Sequence, residues 1–179
     1  MAVAPHKVIT AQEAIQILTD GQPLTARYVQ GKLSLAVGEN WNKEVLIDNC
    51  VLEDVEGSVT QFEQVVKLTN CHFKNCTFTF SYFLQGLAIE RCTFDHYLDF
   101  QAGGHNQPGY RVLIQHNTFC GFVNYFDCWY KGEVRVCNND FQQGTNIASQ
   151  HQLITFEVPP VLANNKGLLA IEAERTIHG

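Results

Sequence analysis

The sequence has few charged residues, no excess of basic residues and no long hydrophobic run. Charged residues make up 17% of the 179 residues, and the formal net charge is −6. A negative chain of low charge density disfavours binding to the phosphates of nucleic acids. No apolar stretch reaches the ~20 residues that span a bilayer, so no membrane partner is predicted either.

Two further absences concern the seven cysteines and the first residues of the chain. No two cysteines form a CxxC pair, which disfavours zinc, and we predict no metal or other cofactor. The segment Met1–Lys7 has no apolar run of the length that a secretory signal needs. Together these absences favour a cytoplasmic protein whose cysteines stay reduced and pack in its core.

An eight-residue phrase recurs along the chain and is clearest at Val66–Phe73. Apolar residues hold its first, third and eighth places, and Asn or Cys holds the sixth. Four further strong copies begin at Val45, Leu87, Val112 and Val134. The steps between copies are 21, 21, 25 and 22 residues, and weaker copies begin at Ala26 and Pro160. A period in the twenties is typical of a solenoid, here with seven coils.

Stacking of the coils predicts two ladders inside the solenoid. Equal places on successive parallel coils lie about 4.8 Å apart. The sixth place gives a ladder of Cys50, Cys71, Cys92, Asn117 and Asn139. The eighth place gives a ladder of Leu52, Phe73, Phe94, Phe119 and Phe141. The sixth place is also expected to form the bend, because Asn tolerates the left-handed backbone that a bend needs.

The residues before the repeats predict a cap. Thr10 and Glu13 have the spacing of a capping box, which begins a predicted helix over 11–19. We interpret residues 1–8 as a loose arm. The helix is expected to cover the first coil, because a bare solenoid end exposes strand edges. The chain thus divides into an arm and capping helix over 1–23 and a parallel β-helix domain over 24–179.

The phrase, with the Asn-Asn bend in Val134–Phe141, resembles the repeat of right-handed parallel β-helix proteins, the pectate-lyase-like group. The resemblance covers roughly 26–167. A shorter stretch, Asn70–Phe78, resembles pentapeptide-repeat proteins, but its five-residue spacing fails elsewhere. The resemblance implies an all-β fold: a short right-handed parallel β-helix of about seven coils with an N-terminal α-helical cap. It also suggests polysaccharide lyases and glycosidases as possible activities.

Two acidic residues beside the longest coil are the candidate catalytic pair. Asp99 follows Phe94 by five residues, as Asn124 follows Phe119, so Asp99 and Asn124 should stack. Asp127 lies further along the same wall, and paired carboxylates across a groove would suit glycoside hydrolysis. Asp is equally an ordinary turn residue, and no coil repeats the acidic spacings of calcium-dependent lyases. A non-enzymatic role is therefore the favoured prediction.

The candidate binding residues belong to the longest coil and the wall after it. The glycine-rich stretch Gln101–Tyr110 is expected to leave the coil as a loop. The aromatic residues that follow exceed what one coil can bury, which indicates a sugar-stacking platform or a protein interface. The alternatives are an insertion without a task and an aromatic flank covered by the loop. The predicted binding residues are His105, Tyr110, Tyr125, Trp129 and Tyr130.

Two functional hypotheses follow. The leading one is a non-enzymatic structural or interaction module that binds a protein partner through the loop face or assembles end to end. The alternative is a carbohydrate-active enzyme or carbohydrate-binding protein that uses the Asp and aromatic wall. The stretch Gly167–Arg175 has no capping signal, so Leu168–Ile171 either folds over the last coil or contacts a second copy. Low charge density and the missing second cap favour a homodimer.

Overall fold

A computed structural model describes residues 6–172 as a parallel β-solenoid of about seven coils with one short helix, which confirms the predicted fold class. Each coil contributes to three walls, and each wall is a stack of parallel strands. Within residues 6–172, no helix is both long and apolar enough to cross a membrane.

The first wall is a seven-stranded sheet formed by the first half of the repeated phrase. Its strands are Leu24–Thr25, Val45–Asp48, Val66–Thr69, Leu87–Glu90, Val112–Gln115, Val134–Cys137 and Val161–Ala163. The register of the five strong copies is the predicted one, with Leu87 opposite both Val66 and Val112. First and third places are buried, as at Val66 and Leu68, because side chains alternate along a strand.

The other two walls follow in each coil. The second wall is a nine-stranded sheet of Lys7–Thr10, Arg27–Ser34, Val51–Glu56, His72–Thr77, Thr93–Phe94, Leu98–Asp99, Thr118–Phe119, Val123–Asn124 and Asp140–Phe141. The third wall contains the strands Asn40–Trp41, Gln61–Phe62, Tyr82–Phe83, Trp129–Tyr130 and Thr155–Phe156. Single bridges from Gly104 to Tyr82 and to Trp129 join its two groups of strands.

The bend between the first and second walls turns at the fifth place of the phrase, so its prediction at the sixth place was wrong. The fifth-place residues have φ between 50° and 58°: Ala26, Asn49, Asn70, Arg91, His116, Asn138 and Asn164. Asn holds four of these seven places, in keeping with its tolerance of this conformation. The sixth-place side chain is thereby left to point inward, where the residues of that ladder are buried.

The first weak copy needs a second correction. Leu24 pairs with Ile47, which is a third place, so Ala26 is a fifth place rather than the first place of its copy. This copy therefore spans 22–29. The last weak copy keeps its predicted register, since Leu162 pairs with Val136.

The sixth-place ladder supplies hydrogen-bond acceptors to buried backbone. Asn117 Oδ1 accepts the Cys92 N–H at 2.8 Å, and Asn139 Oδ1 accepts the Asn117 N–H at 3.0 Å. Asn117 Nδ2 also donates to the Ile89 carbonyl at 2.8 Å. Further down, Cys71 Sγ accepts the Cys50 N–H at 3.4 Å. Each side chain thus satisfies a donor of the preceding coil that burial would otherwise leave unpaired.

All seven cysteines are free thiols, as the sequence predicted, and only Cys120 is not buried. Burial raises the pKa of Cys128 to about 12 and also raises that of Cys76, because a thiolate is poorly solvated in an apolar interior. Cys76 and Cys128 therefore act as packing groups rather than as nucleophiles.

The eighth-place ladder is a continuous stack of rings. Centroids lie 4.7 Å apart for Phe73 and Phe94, 5.2 Å for Phe94 and Phe119, and 4.8 Å for Phe119 and Phe141. Two further stacking series occur that the sequence did not reveal. One runs from Phe78 through Phe100 to Tyr125, and the other includes the pairs Phe62–Phe83 and Tyr130–Phe156. Aromatic stacking thus fills much of the core from the coil of Phe62 to the coil of Phe156.

The N-terminal cap is formed as predicted, but the arm is more ordered than expected. Helix Ala11–Thr19 begins with the capping box of Thr10 and Glu13 and buries Ala14 and Leu18. Lys7–Thr10, where residues 7 and 8 were assigned to a loose arm, is a strand that pairs in parallel with Arg27–Ser34. Of the predicted arm, residues 1–5 lie outside the described residues.

At the other end, Leu168–Ile171 folds back over the last coil, which is the first of the two predicted alternatives. The Leu168 carbonyl accepts the Thr145 N–H at 2.8 Å, and the Ile171 N–H donates to the Thr145 carbonyl at 3.1 Å. Leu169 packs against the core, while Leu168 stays 71% exposed. Residues 173–175 of the predicted stretch lie outside the described residues. The homodimer stays a prediction.

Phe94 lies in the middle of the eighth-place ladder and is 1% exposed. We expect Phe94→Ala to lower the free energy of unfolding by about 3–5 kcal/mol, because it deletes a core ring and leaves a cavity. Urea denaturation measures this loss. Phe80→Ala is the control, since the Phe80 ring is 51% exposed and its removal should change stability by less than about 0.5 kcal/mol. Equal effects of the two variants would contradict the ladder.

Asn117 tests the polar ladder. Asn117→Ala should cost about 1–3 kcal/mol, because the Cys92 N–H loses its acceptor in a buried place. Asn117→Cys should cost less, since Cys holds this place in other coils and Cys71 Sγ accepts a backbone N–H there. The same urea titration compares the two variants. A larger loss for Cys than for Ala would show that the acceptor is not what the sixth place requires.

Leu168 tests the predicted homodimer. A dimer through this end should use Leu168, which is exposed, and not Leu169, which packs on the core. By light scattering, the homodimer prediction expects wild type at twice the chain mass of 20.2 kDa and Leu168→Glu at the chain mass. Wild type at the chain mass would exclude the homodimer. A dimeric Leu168→Glu would show that the dimer interface lies elsewhere.

Candidate functional site

A groove runs along the outer surface of the third wall. It has a volume of about 300 Å³. Its lining residues are Phe80, Tyr82, Ala102, His105, Asp127, Cys128, Trp129, Leu153 and Thr155. We call this surface the aromatic groove. It spans four successive coils, from the one that holds Phe80 to the one that holds Thr155.

Three rings of successive coils form one side of the aromatic groove. The Tyr82 and His105 centroids are 4.1 Å apart, and those of His105 and Trp129 are 5.8 Å apart. Stacking of the coils sets this column, because Gly104 pairs with both Tyr82 and Trp129. Only glycine fits at 104, where φ is 98° and a Cβ would lie 2.7 Å from the Trp129 carbonyl oxygen.

The Trp129 ring is exposed but held in place. Its indole Nε1 donates to Glu157 Oε1 at 3.0 Å, and Lys131 Nζ lies 5.3 Å from the ring centroid. The side chain remains 44% exposed. The ring therefore offers a preorganised surface with little rotamer entropy left to lose on binding.

The other side of the aromatic groove is the bend between the second and third walls. Residues in the left-handed conformation recur here too: Val59, Phe80, Ala102, Asp127 and Leu153, with φ between 51° and 56°. Val59 is 67% exposed and Leu153 is 65% exposed. This conformation costs roughly 1–2 kcal/mol for residues other than Gly, Asn and Asp. The bend thus displays apolar side chains that neither backbone preference nor core packing explains.

The two predicted catalytic carboxylates have different surroundings. Asp99 stacks on Asn124 as predicted, and its carboxylate accepts the Gln101 N–H at 2.9 Å and Asn124 Nδ2 at 3.0 Å. These contacts stabilise the wall, and Asp99 is not among the residues that line the aromatic groove. Asp127 is exposed and lines it. The structure therefore does not bring the two carboxylates together across this groove.

The predicted binding residues also separate into groups. His105 and Trp129 line the aromatic groove. Tyr125 and Tyr130 are 1% and 3% exposed and stack on Phe100 and Phe156, so their rings are out of reach of a ligand at this surface. Tyr110 is 41% exposed but lies outside the groove lining.

The stretch Gln101–Tyr110 leaves the coil less than expected. Gly103, Gly104 and Asn106 are buried, and only its last residues, from Gln107 on, are exposed. Asn106 Nδ2 donates to the Tyr110 carbonyl at 2.7 Å and so closes this short turn. Most of the predicted loop is therefore wall, and it supplies His105 to the aromatic groove without covering Trp129.

Sequence reasoning missed Phe80, Tyr82 and Leu153. A signal was present, because Tyr82 follows Gln61 by 21 residues and Phe80 follows Val59 by the same step. The alternation of apolar and polar residues within the third wall predicts which of its side chains point inward and which point outward. It does not show that the residue two places before each strand has a left-handed backbone and an outward side chain.

The surroundings of His105 favour its neutral form. Partial burial, with a smaller contribution from the Lys131 ammonium, lowers the pKa of this imidazole below its ordinary value. No basic residue lines the aromatic groove within the described chain, and Asp127 is its one carboxylate there. The electrostatic character of the groove is therefore set by Asp127, the aromatic rings and the nearby Lys131 ammonium.

A second, polar groove of about 450 Å³ lies at the bend between the first and second walls. Its lining includes His116, Asn138, Asn164, Asp140 and Lys166. At neither groove, nor elsewhere in residues 6–172, do three or more His, Cys, Asp or Glu side chains cluster so that they could hold a metal ion.

Comparison with known proteins adds no relative. No family model matches this sequence, and no curated protein or solved structure matches it either. The likeness to the pectate-lyase-like group therefore depends on the repeat phrase alone, and the structure supports a β-solenoid without assigning a family.

Proposed function

We propose that this chain is a non-enzymatic interaction module that binds a protein partner through the aromatic groove. The observation that carries the proposal is the column of half-buried Tyr82 and His105 and exposed Trp129, beside the exposed apolar residues Phe80 and Leu153. Exposed aromatic and apolar side chains grouped at one surface are typical of interaction sites on soluble proteins.

The backbone of the bend supports this proposal. Bulky residues with a left-handed backbone persist where the fold imposes the conformation, and such strain is concentrated at functional sites. At the bend between the first and second walls, four of the seven left-handed residues are Asn. At the bend beside the aromatic groove, Val59, Phe80 and Leu153 hold the equivalent conformation and expose their side chains.

The carboxylates favour binding over catalysis. Glycoside hydrolysis uses two carboxyl groups that flank the scissile bond. The aromatic groove is lined by one carboxylate, Asp127, among the described residues, and Asp99 is hydrogen bonded within the second wall.

Carbohydrate binding is the second candidate, and the exposed Trp129 ring beside Asp127 favours it. A sugar ring stacks on an aromatic face while its hydroxyl groups bond to a nearby acceptor. Phe80 and Leu153 favour the protein partner instead, because a hydroxyl-rich ligand gains little from covering apolar side chains.

Peptide display and a glycan panel, each probed with wild type and with Trp129→Ala, test the proposal. We expect wild type to select peptides that share a motif, and Trp129→Ala to lose them because it removes the exposed indole. Tyr97→Ala is the matched control, since Tyr97 is 38% exposed on the second wall and its loss should leave selection unchanged. Glycan binding that depends on Trp129, without peptide selection, would replace the protein partner with a carbohydrate.

A further inference from the structure

We infer that the aromatic groove binds a cationic group of its partner, namely the ammonium or guanidinium of a lysine or arginine side chain, or a quaternary ammonium. This inference rests on the proposed function and names the chemistry of the partner. Its basis is the meeting of three aromatic rings and one carboxylate in the groove, those of Phe80, Tyr82, Trp129 and Asp127.

The rings supply the first half of the recognition. The face of an aromatic ring attracts a cation within about 6 Å of its centroid, with Trp the strongest of the three ring types. Trp129 already has one such contact, with Lys131 Nζ at 5.3 Å from its centroid. Lys131 is not among the residues that line the groove, so this contact leaves the groove itself without a cation.

The carboxylate supplies the second half. Asp127 is exposed at the groove and has no hydrogen bond or ion pair from its side chain to any residue that the structure describes. Some surface carboxylates are already paired, namely Glu56 with Lys32, Asp95 with His72, and Glu133 with two arginines, whereas Asp127 is available to a ligand. The left-handed backbone at Asp127 fixes where this carboxylate stands, and Asp adopts that conformation more readily than a bulkier residue does.

Charge complementarity selects a cation over a neutral or anionic ligand. No lysine or arginine lines the groove among the described residues, and partial burial lowers the pKa of His105 and so favours its neutral imidazole. The whole chain carries a formal charge of −6. A cation would therefore meet aromatic faces and an unpaired carboxylate, with Lys131 as the nearest positive charge, whereas an anion would face Asp127 directly.

Choline and its uncharged carbon isostere, in which a tert-butyl group replaces the trimethylammonium group, form the matched probe pair. The chain has two tryptophans, and Trp41 is 3% exposed while Trp129 is 44% exposed, so fluorescence and the indole NMR signals report on Trp129. At low salt we expect choline to shift the Trp129 signals. The isostere should bind about tenfold more weakly, because it keeps the shape but loses the charge.

Two variants complete the experiment. Asp127→Asn keeps the size of the side chain and should weaken choline binding about tenfold, whereas Asp140→Asn, outside the aromatic groove, should leave it unchanged. Equal binding of choline and its isostere, or no change in Asp127→Asn, would overturn the inference, as would the absence of any Trp129 response to choline.

Peptide display separates this inference from the proposed function. Peptides lost with Trp129→Ala should share a lysine or arginine, and its replacement by norleucine should weaken binding about tenfold. Trp129-dependent peptides without a shared basic residue would contradict cation binding but would still support the interaction module. Choline binding without peptide selection would support the cation site and contradict the protein partner.

Discussion

In-register stacking of the coils is the constraint on which the rest of this structure depends. A residue of one coil lies directly over its equivalents in the next, as Leu87 lies between Val66 and Val112. A side chain in the core must therefore pack well against the side chains at the equivalent places of the neighbouring coils. Phenylalanine meets this condition by offset stacking, with centroids between 4.7 and 5.2 Å apart in the eighth-place ladder.

Polar groups inside the stack meet the same condition by a different route. An Asn at the sixth place has both a donor and an acceptor, so it bonds to its equivalent and to backbone at once, as Asn117 does with Asn139 and Ile89. A thiol makes weaker bonds but needs less compensation when it is buried. The change from Cys92 to Asn117 within one ladder therefore keeps the acceptor for the neighbouring N–H and preserves the register.

The two left-handed bends show the same backbone requirement met by different residues. Asn predominates at the bend between the first and second walls, where the sixth-place side chain must turn inward. Exposed Phe80 and Leu153 and the carboxylate of Asp127 occupy the bend beside the third wall. Because both bends demand the same conformation, the difference in side chains reflects what each bend presents to solvent. The fold thus provides a rigid frame, and the proposed binding chemistry is confined to one bend and one wall.

The repeated phrase by itself determined the solenoid, the register of its strong copies and the Phe ladder, because each depends on spacing between equal places. The capping box of Thr10 and Glu13 determined the helix, because it depends on spacing within one helical turn. The location of the left-handed residue was not readable, since Asn at the fifth and sixth places looks alike in sequence. Nor could the sequence distinguish the buried Tyr125 from the exposed Trp129, four residues apart in one aromatic cluster. Only the tertiary structure decided that, because the orientation of each ring depends on the wall in which its residue lies. It also depends on the side chains that the neighbouring coils place beside the ring.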